Sequence, residues 1–290
     1  MPLPKGGGIF VSGPDMSQRT LLITGCSSGI GLDAARGMRD RGWRVFASCR
    51  KEADCVRLRE EGFESPRIDY EDAGSIHEGL SEVLEATGGT LDALFHNGAY
   101  AIPGALEDLP TDALRQIYEA NVFGWHELTR AVLPVMRAQG HGRIVMNSSI
   151  LGFITLPWRA AYSSTKHALE GLTSTLRIEM RGTGIEVILI EPGPVTSKIR
   201  ENSIPHFERW IDWRASPRRA QYEASLLKRL YEGGSDRFEL PARAVTDKLA
   251  HALESRRPRP RYYVTTPTHL MGAAKRLLPT RALDWILSRV

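Results

Sequence analysis

A doubly wound parallel sheet of the α/β class, built as a single three-layer α/β/α domain, is the fold this chain predicts, and three observations carry that expectation. Short apolar runs alternate with longer helix-like stretches from residue 19 to residue 190. The connections between them are short. No internal repeat or low-complexity linker divides the chain. Alternation of this kind sets strands side by side in parallel, with crossover helices covering both faces.

Each element has a local reason. Arg19–Thr24 is an apolar run halted by Gly25, the pattern of a buried strand. Ile30 to Arg41, rich in Ala, Leu and Met, reads as a helix. Trp43–Ser48 is a second strand and Ala53–Glu61 a second helix. Arg67–Asp69 reads as a third strand, followed by a helix over Ser75–Ala86. Leu91–Phe95 is a fourth strand, Thr111–Gln139 one long helix, and Gly142–Asn147 a fifth strand. A helix over Ala160–Arg181 leads to a sixth strand, Ile185–Ile190. The basic run Arg256–Arg261 reads as a solvated loop before a final strand at Tyr262–Val264. Residues 1–17 have the character of a flexible leader, with Met16 a second candidate start. Residues 18–266 then form the sheet domain, with an insertion at 198–240, and 267–290 a helical tail broken at Pro279.

Composition narrows the class. At 42% hydrophobic and 25% charged residues, the chain is an ordinary soluble globular protein. A net charge of +4 suits a phosphorylated ligand but is modest for a nucleic-acid binder, and no nucleic-acid module accompanies it. Cys26, Cys49 and Cys55 lack metal-ligand spacing, so no metal is expected, and so sparse a set suits a reduced compartment. There is neither an apolar run of roughly 18 residues nor a signal-peptide core, and a cytoplasmic location is expected.

Ligands of such sheets bind at the carboxyl ends of the strands. After the first strand comes Thr24-Gly-Cys-Ser-Ser-Gly-Ile-Gly31. Glycine lets backbone approach a pyrophosphate, and the following helix N-terminus offers N–H groups and positive dipole. Gly25, Ser27, Ser28, Gly29, Ile30 and Gly31 are therefore expected to cradle a dinucleotide. A carboxylate at the end of the second strand would hold the 2′-hydroxyl of NAD. Cys49 stands there instead, followed by Arg50-Lys51. A guanidinium favours a 2′-phosphate, so Arg50 points to NADP(H). Tyr162 and Lys166, four residues apart, share one helix face. An adjacent ammonium favours the phenolate, and bringing a phenol from about 10 to roughly 7 takes about 4 kcal/mol. Such a tyrosine would serve as acid and base at neutral pH.

Over Gln18–Ser197 the chain resembles the short-chain dehydrogenase/reductase family, with its Rossmann-like fold. The matching residues are the glycine turn, Asp69, Asn97, Asn121 in Glu-Ala-Asn121-Val-Phe-Gly, Ser149 in Met-Asn-Ser-Ser149, Tyr162, Lys166 and Pro192-Gly193-Pro-Val195. The resemblance implies a catalytic tetrad of Asn121, Ser149, Tyr162 and Lys166, with Asp69 at the adenine edge. It also implies cofactor contacts from Asn97, Tyr162, Lys166, Pro192, Gly193, Val195 and Ser197. Asparagine is unfavourable inside a helix unless its amide binds something, and a water held by Asn121 would link Lys166 to solvent. Two departures stand out. His96-Asn97-Gly98-Ala99 replaces the family's Asn-Asn-Ala-Gly, which leaves the part His96 plays in bracing the sheet open. The threonine that usually follows Pro-Gly has two candidate substitutes, Thr196 and Ser197.

Substrate signals are thinner. Within 198–240, Phe207, Trp210, Trp213 and Tyr222 either wall an apolar pocket or pack the lid against itself. Ile150, Phe153 and Trp158 lie near Ser149 in sequence. Together they favour a small hydrophobic aldehyde or ketone, or the corresponding alcohol. The chain resembles the branch with NADP-dependent aldehyde reductases and, more distantly, 17β-hydroxysteroid and retinol dehydrogenases. An NADP(H)-sensing regulatory protein on the same fold is the alternative, although it would not need the intact tetrad. The tail is expected to cover the core or a subunit contact in a homo-oligomer, with membrane-surface attachment as the second reading.

Overall fold

Six parallel strands run through the middle of the molecule in the order β2-β1-β3-β4-β5-β6. The computed structural model describes residues 18–234 and 236–289, so the expected leader lies outside the described residues. In chain order the elements are β1 (Thr20–Ile23), α1 (Gly29–Arg39), β2 (Arg44–Ala47), α2 (Glu52–Glu60), α3 (Ala73–Thr87) and β3 (Ala93–His96). Next come α4 (Thr111–Tyr118), α5 (Gly124–Gln139), β4 (Gly142–Asn147), α6 (Ala160–Glu179) and β5 (Ile185–Glu191). The chain closes with α7 (Ile199–Trp210), α8 (Arg219–Gln221), α9 (Arg243–Glu254), β6 (Arg261–Tyr263), α10 (Thr266–Leu277) and α11 (Thr280–Leu287). The α8 segment continues as two π turns, Tyr222–Leu226 and Lys228–Glu232.

Strand periodicity builds the three layers. Leu21 and Ile23 of β1 enter a core with Ala34 and Met38 of α1 and Leu249 of α9. Leu22, between them, enters the opposite core with Trp125, Leu128 and Val132 of α5. Because side chains alternate along a strand, one apolar run supplies both faces. Strand order reverses at β1, flanked by β2 on one side and β3 on the other. The crevice at that reversal is where such sheets bind ligands.

Two expected elements differ. The strand expected at Arg67–Asp69 is reduced to isolated bridges, Phe46↔Glu64 and Cys49↔Arg67. Between them lies Pro66, which has no N–H to give a ladder, and the Ser65 hydroxyl donates to the Ala47 carbonyl (2.6 Å). The single helix expected over 111–139 is interrupted by a π turn at Glu119–Phe123, which carries Asn121. The tail folds back as α10 and α11, and Leu283 and Leu287 pack against Ile154 beyond β4. Leu270, Leu277 and Trp285 face outward. Among the described residues no helix is long and apolar enough to cross a membrane.

Candidate active site

The carboxyl ends of β1, β3, β4 and β5 open onto one cleft of about 820 Å³. At its β1 wall, the chain turns through Gly25 at φ +69°. A Cβ on Gly25 would lie 2.5 Å from the Gly98 Cα, and one on Gly31 2.3 Å from the Gly25 carbonyl oxygen. Only glycine allows these approaches. The transposed pair Gly98-Ala99 therefore keeps the small residue where the turn needs it. The α1 N-terminus carries no side-chain cap and no acid in its first turn, which leaves N–H groups and positive dipole for an anion.

Behind the turn, Asn97 donates from Nδ2 to the carbonyls of Thr24 and Gly25 (3.2 Å each) and accepts from Asn147 Nδ2 (2.9 Å). His96 is fully buried, stacked on Trp125, with Nδ1 2.6 Å from the Tyr70 hydroxyl and Nε2 2.9 Å from the Thr129 hydroxyl. Since Thr129 donates to the Trp125 carbonyl, its hydroxyl oxygen accepts from His96 Nε2. Burial pushes its pKa down to about 3, so the imidazole is neutral. His96 thus ties β3 to α5 and to Tyr70.

Ser149 caps the short turn after β4, where its Oγ accepts from Leu151 N (3.1 Å). Tyr162 and Lys166 lie on one face of α6, and both line the cleft with Ser149. Lys166 is 1% exposed. Its Nζ donates to the Asn147 carbonyl (2.8 Å) and stands 4.4 Å from the Trp125 ring centre and 5.5 Å from that of Tyr162. A glycine-lined helix start and a Ser-Tyr-Lys group facing one cleft bear comparison with known families. The family model described as short chain dehydrogenase matches residues 19–206.

The chain is a short-chain dehydrogenase/reductase. It is 38% identical over 270 residues to the uncharacterized oxidoreductase YbbO of Escherichia coli K12, covering 93% of this chain and 94% of that one. It is 32% identical over 280 residues to the NADPH-dependent 3-dehydrocapnine reductase of Ornithobacterium rhinotracheale, covering 92% and 95%. A short-chain dehydrogenase/reductase from Burkholderia phymatum, solved in complex with NAD, superposes with a TM-score of 0.75 at 26% identity, covering 94% and 95%. The chain is thus an oxidoreductase of a family that works with nicotinamide cofactors.

Within this short-chain dehydrogenase/reductase, nearly all the residues singled out from sequence line the cleft. They include Ser27, Ser28, Gly29 and Ile30 at the helix start, Arg50 and Asp69 at one end, and Pro192, Gly193, Val195 and Ser197 after β5. Of the two hydroxyls after Gly193, Ser197 reaches the cleft and arches over Gly29, whereas Thr196 is exposed. Gly31 and Asn121 do not line it. Gly31 sits behind the turn against Gly25. Asn121 is fully buried: its Oδ1 accepts from Tyr100 N (3.2 Å), and its Nδ2 donates to the Tyr100 carbonyl (2.9 Å) and Thr165 Oγ1 (3.3 Å). The amide expected to hold a water is spent on clamping the β3–α4 connection to α6.

One further expectation is corrected, and one alternative left open by the sequence is decided. Burial raises the Tyr162 pKa above its usual range; the Ser149 hydrogen bond and the Arg159 charge oppose that rise in part. Lys166 is not the force that brings the phenol toward neutrality. Its own pKa falls to about 7, because burial disfavours the ammonium more than Glu170 favours it. Second, Phe207, Trp210, Trp213 and Tyr222 do not wall the cleft, nor do Ile150, Phe153 or Trp158. Phe207 and Tyr222 pack with Ile102, Ile117 and Trp158, and Tyr222 donates to Asp108 (2.8 Å) while accepting from Ala105 N (2.8 Å). They anchor the lid to the domain. Sequence reasoning passed over Tyr100 and His206, whose ring centres stack 3.9 Å apart and which line the cleft, and over Arg159, which lines it too. Arg159 alone left a signal, its place three residues before Tyr162.

Proposed function

We propose that this enzyme reduces an aldehyde or ketone with NADPH, or oxidises the alcohol with NADP⁺. The observation that carries the reading is the convergence of Ser149, Tyr162 and Lys166 on the cleft that also contains the open, glycine-lined start of α1. That start suits a pyrophosphate, since no side chain caps it and its first turn holds no acid. The nicotinamide, when bound, supplies or takes the hydride.

The residues of the chain do the rest. Burial keeps the Tyr162 phenol protonated at neutral pH but makes it a weaker acid, while Ser149 and the Arg159 charge oppose that shift and favour transfer of its proton to the substrate oxygen. Ser149 donates a hydrogen bond to the same oxygen and holds it toward Tyr162. Lys166, with its pKa brought down by burial to about 7, can exchange a proton near neutrality and return it to Tyr162. Asn121 positions this group by locking Thr165, one residue before Lys166, to the Tyr100 backbone. Leu151, Ala101, Pro194 and Pro205 offer apolar surface to the substrate body.

For NADP(H), the support is local charge. Arg50 and Lys51 line the cleft just past the fully buried Cys49, where a carboxylate would discriminate against a 2′-phosphate. Structural neighbours were solved with NADPH as well as with NAD, so charge at this position is the better guide.

The test is NADPH oxidation with a panel of aliphatic aldehydes, steroids and retinoids, repeated with NADH. Tyr162→Phe should lower turnover by about 100-fold or more while NADPH still quenches intrinsic fluorescence. A Tyr162→Phe enzyme that keeps most of its turnover, or a wild type that prefers NADH, would overturn the corresponding half of the reading.

A further inference from the structure

Arg159 lies three residues before Tyr162 and lines the same cleft. Its carbonyl accepts the first turn's bond of α6 from Ser163 N (2.8 Å), which fixes its backbone to the helix. The preceding residue, Trp158, has φ +66°, a left-handed conformation rare for a bulky side chain. Contacts hold it there: its carbonyl accepts from Gly104 N (3.0 Å), and its ring packs 4.7 Å from that of Tyr222. Strain kept in place by packing next to a reacting group fixes the direction in which the following side chain leaves the backbone.

The Arg159 guanidinium has a cationic fork of five donors. Among the described residues none of these donors meets a hydrogen-bond acceptor or a carboxylate. The other arginines at this end of the cleft are engaged. Arg229 donates to Asp236 (2.6 Å) and to the Gly234 carbonyl (3.1 Å), and Arg200 to the Leu230 carbonyl (2.9 Å). Asp236, the acid that acts on Arg159, is therefore already held by Arg229. Burial, with the Arg229 charge behind it, lowers the Arg159 pKa, which marks a cation short of compensation. The Arg159 charge reaches the Tyr162 phenol and favours its ionised form.

We propose that Arg159 binds an anionic group, a carboxylate, sulfonate or phosphate, that the substrate carries close to its carbonyl. The substrate class is then acidic aldehydes and ketones rather than neutral ones. This rests on the reading of Tyr162 as the proton donor. The guanidinium fork and the Ser149–Tyr162 pair would hold the substrate at two points, with its apolar body along Leu151 and Pro205. The lid aromatics pack into the domain and do not wall the cleft, which leaves room for this polar contact.

The experiment compares kcat/KM with NADPH for straight-chain oxo acids of increasing ketone-to-carboxylate spacing, the matching sulfonates and phosphates, and the methyl ester of each acid. Octanal is the neutral control. At one spacing, an anion should outperform its ester by about tenfold or more, the size expected of a charge-assisted pair. The compound set identifies which anion it is. Arg159→Met should collapse the acid-to-ester ratio to about one, and Arg159→Lys should retain a preference, since a positive charge remains. Equal acid and ester rates at every spacing, or a ratio that survives in Arg159→Met, would overturn the proposal. Should Arg159→Met fail to fold in a thermal melt, the wild-type ratio and Arg159→Lys decide it. Reduction of octanal without any anion preference sinks the Arg159 assignment alone. No NADPH oxidation with any compound sinks the reading of Tyr162 beneath it.

Discussion

Replacing Lys166 with methionine tests the electrostatics of the site without reference to any substrate. Lys166 is 1% exposed, and its pKa falls from 10.5 to about 7. At about 1.36 kcal/mol per unit, that fall corresponds to about 5 kcal/mol against the buried ammonium. The Asn147 carbonyl at 2.8 Å and the Trp125 face at 4.4 Å both favour the charged form, so this figure is a ceiling. The sign follows from proton counting. Between pH 7 and 10.5 the unfolded lysine holds a proton that the folded one has released, so stability rises with pH across that window. Methionine has nothing to titrate. The stability of wild type minus that of Lys166→Met should therefore climb by up to about 1.4 kcal/mol per pH unit between pH 7.5 and 9.5. Cys26 and Glu191, whose pKa values are also raised, are common to both proteins and cancel in the difference. Urea unfolding followed by tryptophan fluorescence at four pH values measures it. A difference that does not change with pH would mean that Lys166 stays charged throughout, and the proton-return role drawn from its pKa would fall.

Three other perturbations address separate parts of the site. Asn121→Ala strips partners from the buried Tyr100 N–H and carbonyl, and should cost about 2–5 kcal/mol in urea unfolding; a loss below about 0.5 kcal/mol would show that the clamp is unimportant. Gly31→Val places side-chain atoms where even a Cβ would be 2.3 Å from the Gly25 carbonyl oxygen, so calorimetric titration should show NADPH affinity reduced by about tenfold or more. Arg50→Gln should shift the NADPH-to-NADH ratio of kcat/KM toward NADH by about 10- to 100-fold. Aspartate at position 49 is a poorer test than Arg50→Gln, because Cys49 is fully buried and a carboxylate there would be desolvated. An unchanged ratio in Arg50→Gln would remove the basis for NADP(H) preference.

The layers of the fold were legible because strand and helix periods differ, and because Gly25, Asn97 and Ser149 follow strands directly. Failures arose where a long-range partner decided the outcome. Arg67–Asp69 has a strand's side chains, but Pro66 and the Ser65 hydroxyl replace its ladder. Thr111–Gln139 has a continuous helical pattern, and although Asn121 is an awkward residue inside it, residue type alone does not say that a π turn accommodates it. The lid aromatics were equally suited to a pocket wall and to self-packing, and the tie between Tyr222 and Asp108 decided for packing. A residue that follows a strand inherits its position from the sheet. A residue within the lid takes its position from contacts that only the folded chain supplies.

The Tyr162–Lys166 pair shows the same limit in its electrostatics. Four-residue spacing correctly puts both side chains on one face of α6, and from there an ammonium next to a phenol suggests a lowered phenol pKa. That inference omits desolvation, which acts on both groups at once. Burial raises the tyrosine and lowers the lysine, so the pair favours its neutral forms over the phenolate–ammonium pair. Tyr162 loses its proton in reduction and must have lost it before oxidation, so the burial cost of the phenolate weighs on both directions alike and fixes a pH range rather than a preferred direction. With the phenol held above its usual pKa of about 10, kcat/KM for aldehyde reduction with NADPH should show no loss that belongs to Tyr162 between neutrality and that value. Profiles of wild type and Lys166→Met separate the two groups, because any fall near neutrality that belongs to Lys166 disappears in the variant. A fall near neutrality that persists in Lys166→Met would show that burial does not control the protonation state of Tyr162 during turnover.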